Sequence, residues 1–244
     1  EVVEFGEFTG RTQASDIVEI RARVQGYLEP IEQPFEEGGP VESGQLLFRI
    51  EQAPFRAKVD AANARLAQAQ AALKLADANL ARAEKLVASG TVTQEEYQTR
   101  LAERDAAQAD TMAAEAQVKQ ATIDLGYTEL LSPVKGIAGE RIVDPGNLVG
   151  GAQNTLLTTV RRVDPMHVYF DVSERDVLEI LEQYRQSGRE FDRSSAPKVF
   201  LQLTDEKGYP HEGFIDFLDN QVDPETGTAM VRGVFDNAEL FLYP

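Results

Sequence analysis

The side chains that most often carry catalysis are scarce in this 244-residue chain, which contains two histidines and no cysteine. Without cysteine there can be no disulfide, thiolate nucleophile or iron–sulfur cluster. His167 falls on the polar side of a predicted strand and His211 in a predicted turn, so we interpret both as structural or solvated. The sequence contains neither a phosphate-binding glycine loop nor a Gly-x-Ser-x-Gly elbow. We therefore predict that the protein is not an enzyme.

Acidic residues do not form a recognisable metal site either. Asp219, Asp223 and Glu225 lie close together, but they lack the alternating oxygen ligands around a glycine that typify a calcium loop. A turn is the better interpretation, and no metal or other cofactor is predicted. The formal net charge of −17 has the wrong sign for neutralising phosphates, which excludes nucleic acid as a partner.

The best candidates for a binding role lie on a predicted helix. They are spaced four, three and four residues apart and so share one face, which we call the outer stripe: Leu75, Asn79, Arg82 and Leu86. Arg82 has no carboxylate three or four residues away on either side, so nothing in its own helix neutralises it. Exposed leucines beside an unpaired arginine are typical of a contact surface, although a solvated arginine on an ordinary helix would show the same spacing.

The outer stripe belongs to an alanine-rich region, residues 54–126. Gly90 is the only glycine or proline between its two ends, so the region predicts two long helices, each about 50 Å long. They meet at Ser89-Gly90-Thr91-Val92, which we call the hairpin tip. Pro54 suits the first helical position, Thr93 with Glu96 forms a capping box, and Gly126 suits a left-handed C-cap.

Apolar residues recur every seven positions along the first helix, and the second repeats the spacing with Tyr97, Arg104, Thr111, Val118 and Leu125, with alanines between them in both helices. This repeat is typical of the core positions of a coiled coil, so the helices are predicted to pack as an antiparallel hairpin. We call the following residues the seam: Leu66, Leu73, Leu80, Val87, Val118 and Leu125. The seam faces away from the outer stripe.

Short strand-like segments flank the hairpin on both sides and resemble each other. Val24-Gln25-Gly26-Tyr27-Leu28 matches Val134-Lys135-Gly136-Ile137-Ala138, and a glycine-turned segment follows each. Neither copy can bury its own apolar face, so we predict one small sandwich with the hairpin inserted into it. Chance similarity of turn-rich strands is the alternative. Beyond Arg161, several alternating segments and one short helix capped at Ser173 predict a small barrel, to which residues 5–11 could add a strand.

In this order the motifs resemble the periplasmic adaptor proteins, or membrane fusion proteins, of tripartite efflux pumps that contain resistance-nodulation-division (RND) transporters. The resemblance includes Val222-Asp223-Pro224-Glu225-Thr226-Gly227-Thr228 and the opening Phe8-Thr9-Gly10-Arg11-Thr12. It implies an elongated, multidomain α+β fold. A lipoyl-like β-sandwich (18–53 with 127–160) is interrupted by a coiled-coil hairpin (54–126), and a small antiparallel β-barrel with one short helix (1–17 with 161–244) lacks most of the membrane-proximal part.

The resemblance also implies a function and a docking site. Such adaptors link an inner-membrane RND drug/proton antiporter to a TolC-like outer-membrane channel, and they assemble as a ring of about six copies. The family's docking pattern is an arginine, a leucine four residues later and a serine seven further on. It falls on Arg82, Leu86 and Thr93, with threonine replacing serine. The hairpin-tip residues Ser89, Gly90 and Thr91 complete the expected channel contact.

The resemblance places the protein in the periplasm of a Gram-negative bacterium, anchored to the inner membrane through an N-terminal segment. The first residues do not look like a signal peptide, and residues 240–244 are apolar, so we expect segments to be missing at both ends. Two alternatives stay open. One is an adaptor of an ABC-type exporter or type I secretion system. The weaker one is a lipoyl or biotinyl carrier, which needs a lysine where this chain reads Glu51-Gln52-Ala53-Pro54-Phe55.

Overall fold

The computed structural model describes residues 6–151, 154–186 and 196–244. The helices are α1 (Ala53–Ala88), α2 (Gln94–Gly126) and α3 (Glu174–Gln186). The strands are β1 (Gly10–Arg21), β2 (Gly26–Glu29), β3 (Pro40–Val41), β4 (Leu46–Ile50), β5 (Glu129–Leu131), β6 (Gly136–Ala138), β7 (Leu148–Val149), β8 (Leu156–Ser173), β9 (Lys198–Leu201), β10 (His211–Asp223) and β11 (Thr228–Phe235). Helices and antiparallel sheets are thus both present, as expected for the α+β class.

The strands on the two sides of the long helices interlock. A four-stranded sheet has the order β5-β4-β2-β7, so the strands before α1 pair with strands that follow α2. Leu28 pairs with Ile50 within the first copy, whereas Tyr27 pairs with Leu148 of the second. β3 and β6 pair in the same crossed manner. The two sequence copies therefore form one lobe.

The core of this lobe draws on both copies. Its buried residues include Leu28, Phe35, Leu47 and Ile50 before the helices, and Leu130, Ala138, Val149 and Leu157 after them. Fully burying a large apolar side chain contributes about 1.5–3 kcal/mol, so each copy depends on the other for a large share of its stability.

Glycines mark places where neighbouring parts of the lobe approach each other closely. A Cβ at Gly136 would overlap the carbonyl oxygen of Arg161, and one at Gly26 would collide with the Ile50 side chain. Gly150 has a φ of +81°, and a Cβ there would overlap the carbonyl oxygen of Val24. The matching glycines of the two copies are therefore required by crowding.

A larger sheet continues the chain into a second core. It has the order β3-β6-β8-β11-β10-β9, and β1 also pairs with β8. The long strands β1 and β8 pass without a break from the first core to the second. The second core is built around Val163, Met166, Val168, Phe235 and Leu242. Buried Asn237 supports it by donating to the carbonyl oxygens of Val163 and Leu242, each at 2.9 Å.

The strand expected at residues 5–11 is wrong in position, because β1 begins only at Gly10 and runs on to Arg21. Phe5 lies outside the described residues, and Phe8 stacks on the ring of Phe170, with the centroids 5.7 Å apart. Phe8 thus packs over the sheet. Ser173 caps α3 as expected, since its hydroxyl accepts from the backbone N–H of Asp176 at 3.3 Å.

The ends of the helical insertion are close together, which leads to a first prediction. The N–H of Ile50 donates to the carbonyl of Thr128 at 2.8 Å, and the Gln52 side-chain amide donates to the Thr128 hydroxyl at 3.1 Å. Replacing residues 53–126 by a short glycine linker between Gln52 and Tyr127 should therefore leave a folded protein that unfolds cooperatively, measured by circular dichroism in urea. Further removal of residues 127–160 should abolish the transition. A noncooperative first variant would show that the lobe needs the helices.

Candidate functional site

Two long helices project from the lobe and run antiparallel. α1 has 36 residues and α2 has 33, so each is about 50 Å long. Arg65 donates to Gln117 at 3.4 Å, and Arg104 donates to Asp77 at 3.2 Å, so later residues of α1 meet earlier residues of α2. Among the residues that the structure describes, no helix is apolar enough over a sufficient length to span a membrane.

The face between the helices is built from small and medium side chains. The residues of the seam are half-buried. The same face carries more deeply buried small residues: Ala62, Ala76 and Ala83 of α1, with Thr111 and Ala114 of α2. Alanine allows two helix backbones to approach closely, because it places only one methyl group in the interface.

One interhelical contact was not anticipated from the sequence. Arg104 of α2 reaches Asp77 of α1 and also its own neighbour Asp105, with N–O distances of 3.2 and 3.1 Å. Hydrogen bonds to Asp105 and Asp77 raise the pKa of the Arg104 guanidinium. No residue pattern within α1 or α2 alone predicts this pair, because the pair depends on the axial register between the two helices.

The helix α1 ends in a Schellman motif. The N–H of Thr91 donates to the carbonyl of Leu86 and the N–H of Gly90 to that of Val87, both at 2.9 Å. Gly90 has a φ of +72°, the left-handed conformation that this motif needs. The hairpin tip therefore turns through a defined, hydrogen-bonded geometry.

The helix α2 begins at the N-cap expected from the sequence, although the reciprocal bond from the Thr93 N–H to the Glu96 side chain that completes a capping box is not among the hydrogen bonds of the described residues. Thr93 has φ −75° and ψ 155°, and its hydroxyl accepts from the backbone N–H of Glu96 at 3.2 Å. On the other side of the hairpin tip, the Ser89 hydroxyl lies 2.9 Å from the Leu86 carbonyl and 3.0 Å from the Thr91 hydroxyl. These contacts confirm the N-cap. Ser89 and Thr91 are thereby connected to the end of α1, and Thr93 to the start of α2.

The end of α2 differs from the left-handed cap that the sequence predicts. Gly126 was expected to be a left-handed cap, but it is the last helical residue, and Tyr127 follows at φ −72° and ψ −7°. The helix ends because the hydroxyl and the N–H of Thr128 both donate to the Leu125 carbonyl, at 2.6 and 3.0 Å. A side chain therefore satisfies the terminal carbonyl that a left-handed glycine would otherwise expose to water.

The outer stripe lies on the exposed side of α1. Leu75 is 61% exposed and Leu86 is 41% exposed. Arg82 folds back on its own helix, where it donates to the Asn79 side chain at 2.6 Å and to the Ala78 carbonyl at 3.2 Å. It forms no ion pair with any residue that the structure describes. The structure thus brings Arg82 and Asn79 together and connects Leu86 to the hairpin tip through its carbonyl.

Ionisable groups in the second core pair with each other. Burial and then the charge of Arg232 lower the pKa of His167, while Arg232 itself binds Asp216 through two N–O contacts of 2.9 Å. His211 lies 2.9 Å from Glu206, whose pKa is lowered first by the hydrogen bond from the Leu203 N–H. Within residues 6–151, 154–186 and 196–244, no group of three histidines or carboxylates is close enough to hold a metal ion.

Two family models match the chain. Residues 16–161 match the RND MFP barrel-sandwich hybrid domain, where MFP denotes membrane fusion protein. Residues 165–244 match the RND MFP beta-barrel domain. Together these matches correspond to the interlocked lobe with its helices and to the second core.

Named relatives agree with these family models. The chain is 36% identical over 238 residues to the multidrug efflux pump subunit AcrA of Escherichia coli K12, covering 98% of this chain and 59% of AcrA. It is 35% identical over 239 residues to the efflux pump periplasmic linker BepD of Brucella suis, covering 98% of this chain and 60% of BepD. The chain therefore spans about three-fifths of the length of these relatives.

A solved structure shares the fold. It is a MacA–MexA chimeric protein that contains the MexA alpha-hairpin domain of Pseudomonas aeruginosa, and it superposes with a TM-score of 0.64 at 24% identity, covering 97% of this chain and 76% of the chimera. The family models, which together account for most of the sequence, show the relationship directly: the chain belongs to the RND membrane fusion proteins.

Proposed function

We propose that this protein is a periplasmic adaptor that links an inner-membrane RND drug/proton antiporter to a TolC-like outer-membrane channel. The observation that carries the proposal is the hairpin itself. A member of this family projects two helices, about 50 Å long, and α1 carries, just before the hairpin tip, exposed Leu86 and an arginine, Arg82, without an acidic partner in the described chain. Such a projection is suited to contacting another protein at a distance from the lobe.

The proposed channel contact comprises Arg82, Leu86, Ser89, Gly90, Thr91 and Thr93. The Schellman motif and the Thr93 N-cap support it, because a tip that is already ordered loses little conformational entropy on binding. Thr93 accepts the Glu96 N–H, which leaves its hydroxyl hydrogen available to donate. The threonine in place of serine is therefore compatible with capping and docking at once.

We further propose that α1 and α2 form a coiled coil along the seam and that the chain has three domains. The buried alanines between half-buried seam residues support the coiled coil. The two separate cores support a lipoyl-like domain at 18–53 with 127–160 and a barrel domain at 1–17 with 161–244. The hairpin at 54–126 is then an insertion into the first of these domains.

The proposal includes assembly as a ring of about six copies and location in the periplasm of a Gram-negative bacterium, anchored to the inner membrane. The names of two relatives, an efflux pump subunit and an efflux pump periplasmic linker, support the pump and the compartment. The proposal assigns no catalytic step to the protein.

Purification of the full-length protein from membranes of its host tests the assignment. We expect an RND antiporter to co-purify, and deletion of the adaptor gene to raise dye accumulation severalfold. A matched strain whose adaptor lacks residues 53–126 should retain the antiporter and lose the outer-membrane channel. Capture of an ATP-hydrolysing exporter would support the ABC alternative. A lipoyl or biotinyl adduct in the intact mass would support a carrier and contradict the proposal.

A further inference from the structure

The interlocked lobe contains a pocket of about 210 Å³, lined by residues from the segments that follow β2 and β6. We call it the lobe pocket. Four of its lining residues belong to the apolar core of the lobe and are no more than 5% exposed: Leu28, Phe35, Leu47 and Phe48. Arg141 lines the same pocket. Apolar walls with a small number of polar groups are typical of small-molecule sites.

The two sequence copies contribute different chemistry to the lobe pocket. Ile31 follows Val24 by seven residues and Arg141 follows Val134 by seven, so Ile31 and Arg141 occupy matching positions, and both line the pocket. The first copy supplies an aliphatic side chain there and the second supplies a cation. A pocket that combines apolar walls with one cation is suited to an amphiphilic anion.

The guanidinium of Arg141 is incompletely paired. Its side chain is only 22% exposed, and its Nε lies 3.7 Å from the Glu37 carboxylate, which is too far for a hydrogen bond. Arg232 is similarly buried, but it donates to Asp216 twice at 2.9 Å. Arg141 makes no hydrogen bond in the described part of the chain. Its N–H groups are therefore available to a ligand carboxylate, which arginine can bind through two parallel hydrogen bonds.

The size of the lobe pocket restricts the ligand further. A cavity of about 150 Å³ with apolar walls holds one benzene molecule, so about 210 Å³ has room for one aromatic ring with a small substituent. Sites for drug-sized molecules usually exceed about 300 Å³. Phe35 contacts Phe48 edge to face, with the centroids 5.4 Å apart, and the Arg141 Cζ lies 5.7 Å from the Phe35 centroid. The cation thus lies beside an aromatic wall, against which a ligand ring can pack.

The backbone around the lobe pocket is held in place. The N–H of Gly146 donates to the Leu28 carbonyl at 2.8 Å, which fixes the turn that carries Pro145 against β2. Pro30 and Pro34 also line the pocket, and their rings restrict the backbone of the segment that follows β2. A pocket whose walls are already ordered loses little conformational entropy when a ligand binds.

We propose that the lobe pocket binds a small aromatic monocarboxylate, with its ring against Phe35 and its carboxylate on Arg141. Glu29 also lines the pocket, and its negative charge disfavours a second anionic group on the ligand. Binding joins segments from both sequence copies and stabilises the lobe in proportion to ligand concentration. The site is independent of the proposed channel contact at the hairpin tip.

Fluorine NMR of the full-length protein tests the site with para-fluorobenzoate as the probe. The fluorine signal should broaden on binding, with a Kd of about 1 mM or tighter, which is reasonable for so small a ligand. The neutral para-fluorobenzyl alcohol and the cationic para-fluorobenzylamine carry the same ring and should bind at least about tenfold more weakly. In the same titration the methyl signals of Ile31 and Leu47 should shift, whereas those of Val168 in the second core should not.

Variants of the cation provide the second part of the test. Arg141→Gln should weaken binding of para-fluorobenzoate at least about tenfold, and Arg141→Lys should restore part of the affinity, since it keeps the charge but loses the two parallel hydrogen bonds. The matched control Arg23→Gln removes another arginine of the lobe that lies over an aromatic ring, 5.1 Å from the Tyr127 centroid, and should bind normally. Urea unfolding of each variant shows whether it is folded.

Three results would overturn the proposal. Equal affinity for the acid and the alcohol, or unchanged affinity in a folded Arg141→Gln variant, would mean that the carboxylate does not contact Arg141. Equal affinity for hexanoate, an aliphatic carboxylate, would mean that the ring is not recognised. Unshifted Ile31 and Leu47 methyl signals at about 10 mM probe would exclude the lobe pocket as the site. The comparison of ligands and the methyl signals use the unaltered protein, so they decide the question even if Arg141→Gln does not fold.

Discussion

If the protein is the adaptor of an efflux pump, as proposed, Arg82→Glu in the full-length protein is expected to abolish drug resistance while leaving folding unchanged. Arg82 lies on an exposed helix face near the hairpin tip, and its hydrogen-bond partners among the described residues are the Asn79 side chain and the Ala78 carbonyl. If it is buried against acceptors of the channel on docking, removing it costs about 2–5 kcal/mol, which corresponds to a loss of affinity of at least about 30-fold. Substitutions on exposed helix faces usually change stability by no more than about 0.5 kcal/mol.

Lys85→Glu is the matched control, because it makes the same charge change one turn away, at a position outside the arginine–leucine docking pattern. Minimum inhibitory concentrations and cross-linking of the channel to Leu86→Cys should separate the two variants. The Arg82 variant should lose both signals, and the Lys85 variant should keep them. If Arg82→Glu retained full resistance and the Leu86 cysteine captured no channel subunit, docking through this face would be wrong.

Gly150→Ala is expected to destabilise the lobe strongly, although it adds a single methyl group. The residue adopts a φ of +81°, and its Cβ would overlap the carbonyl oxygen of Val24. Left-handed strain costs about 1–3 kcal/mol, and overlap with a backbone that cannot move adds about 1–3 kcal/mol. The combined loss of about 2–6 kcal/mol is a large part of the stability of an ordinary domain.

Gly146→Ala isolates the first of these effects. Gly146 also has a positive φ, at +90°, but a Cβ there would meet open space. Urea unfolding should therefore show a loss of about 1–3 kcal/mol for Gly146→Ala and a clearly larger one for Gly150→Ala. Equal losses in the two variants would mean that the backbone near Val24 relaxes and that the crowding between the copies is not tight.

Local patterns were the part of this fold that could be predicted. The N-cap at Thr93 depends on four consecutive residues. The matching positions of Gly26 and Gly136 are both crowded, the first by the Ile50 side chain and the second by the Arg161 backbone. Exposure of the outer stripe follows from helical periodicity alone, which also places Leu75 and Leu86 on one face.

Features that depend on how elements meet were not predictable. The Asp77–Arg104 pair requires the axial register of two helices, which no spacing within either helix encodes. The strand expected at residues 5–11 has the right composition, but the true pairing begins at Gly10, opposite Phe170, and extends to Arg21. Its extent is determined by the length of β8, more than a hundred residues further along the chain.

The interlocked strands have a consequence for the order of folding. β2 and β4 must wait for β5 and β7, which follow the whole helical insertion in the chain, so closing the sheet directly would mean closing a long, entropically unfavourable loop. Contacts within the insertion form between residues that are progressively closer in sequence towards Gly90. If the helix–helix contacts form first near Gly90 and then extend towards Gln52 and Thr128, they bring the two halves of the sheet close together. The loop that the sheet must then close is effectively short. During biosynthesis the helical hairpin would then hold the two halves of the sheet together and so speed formation of the native sheet.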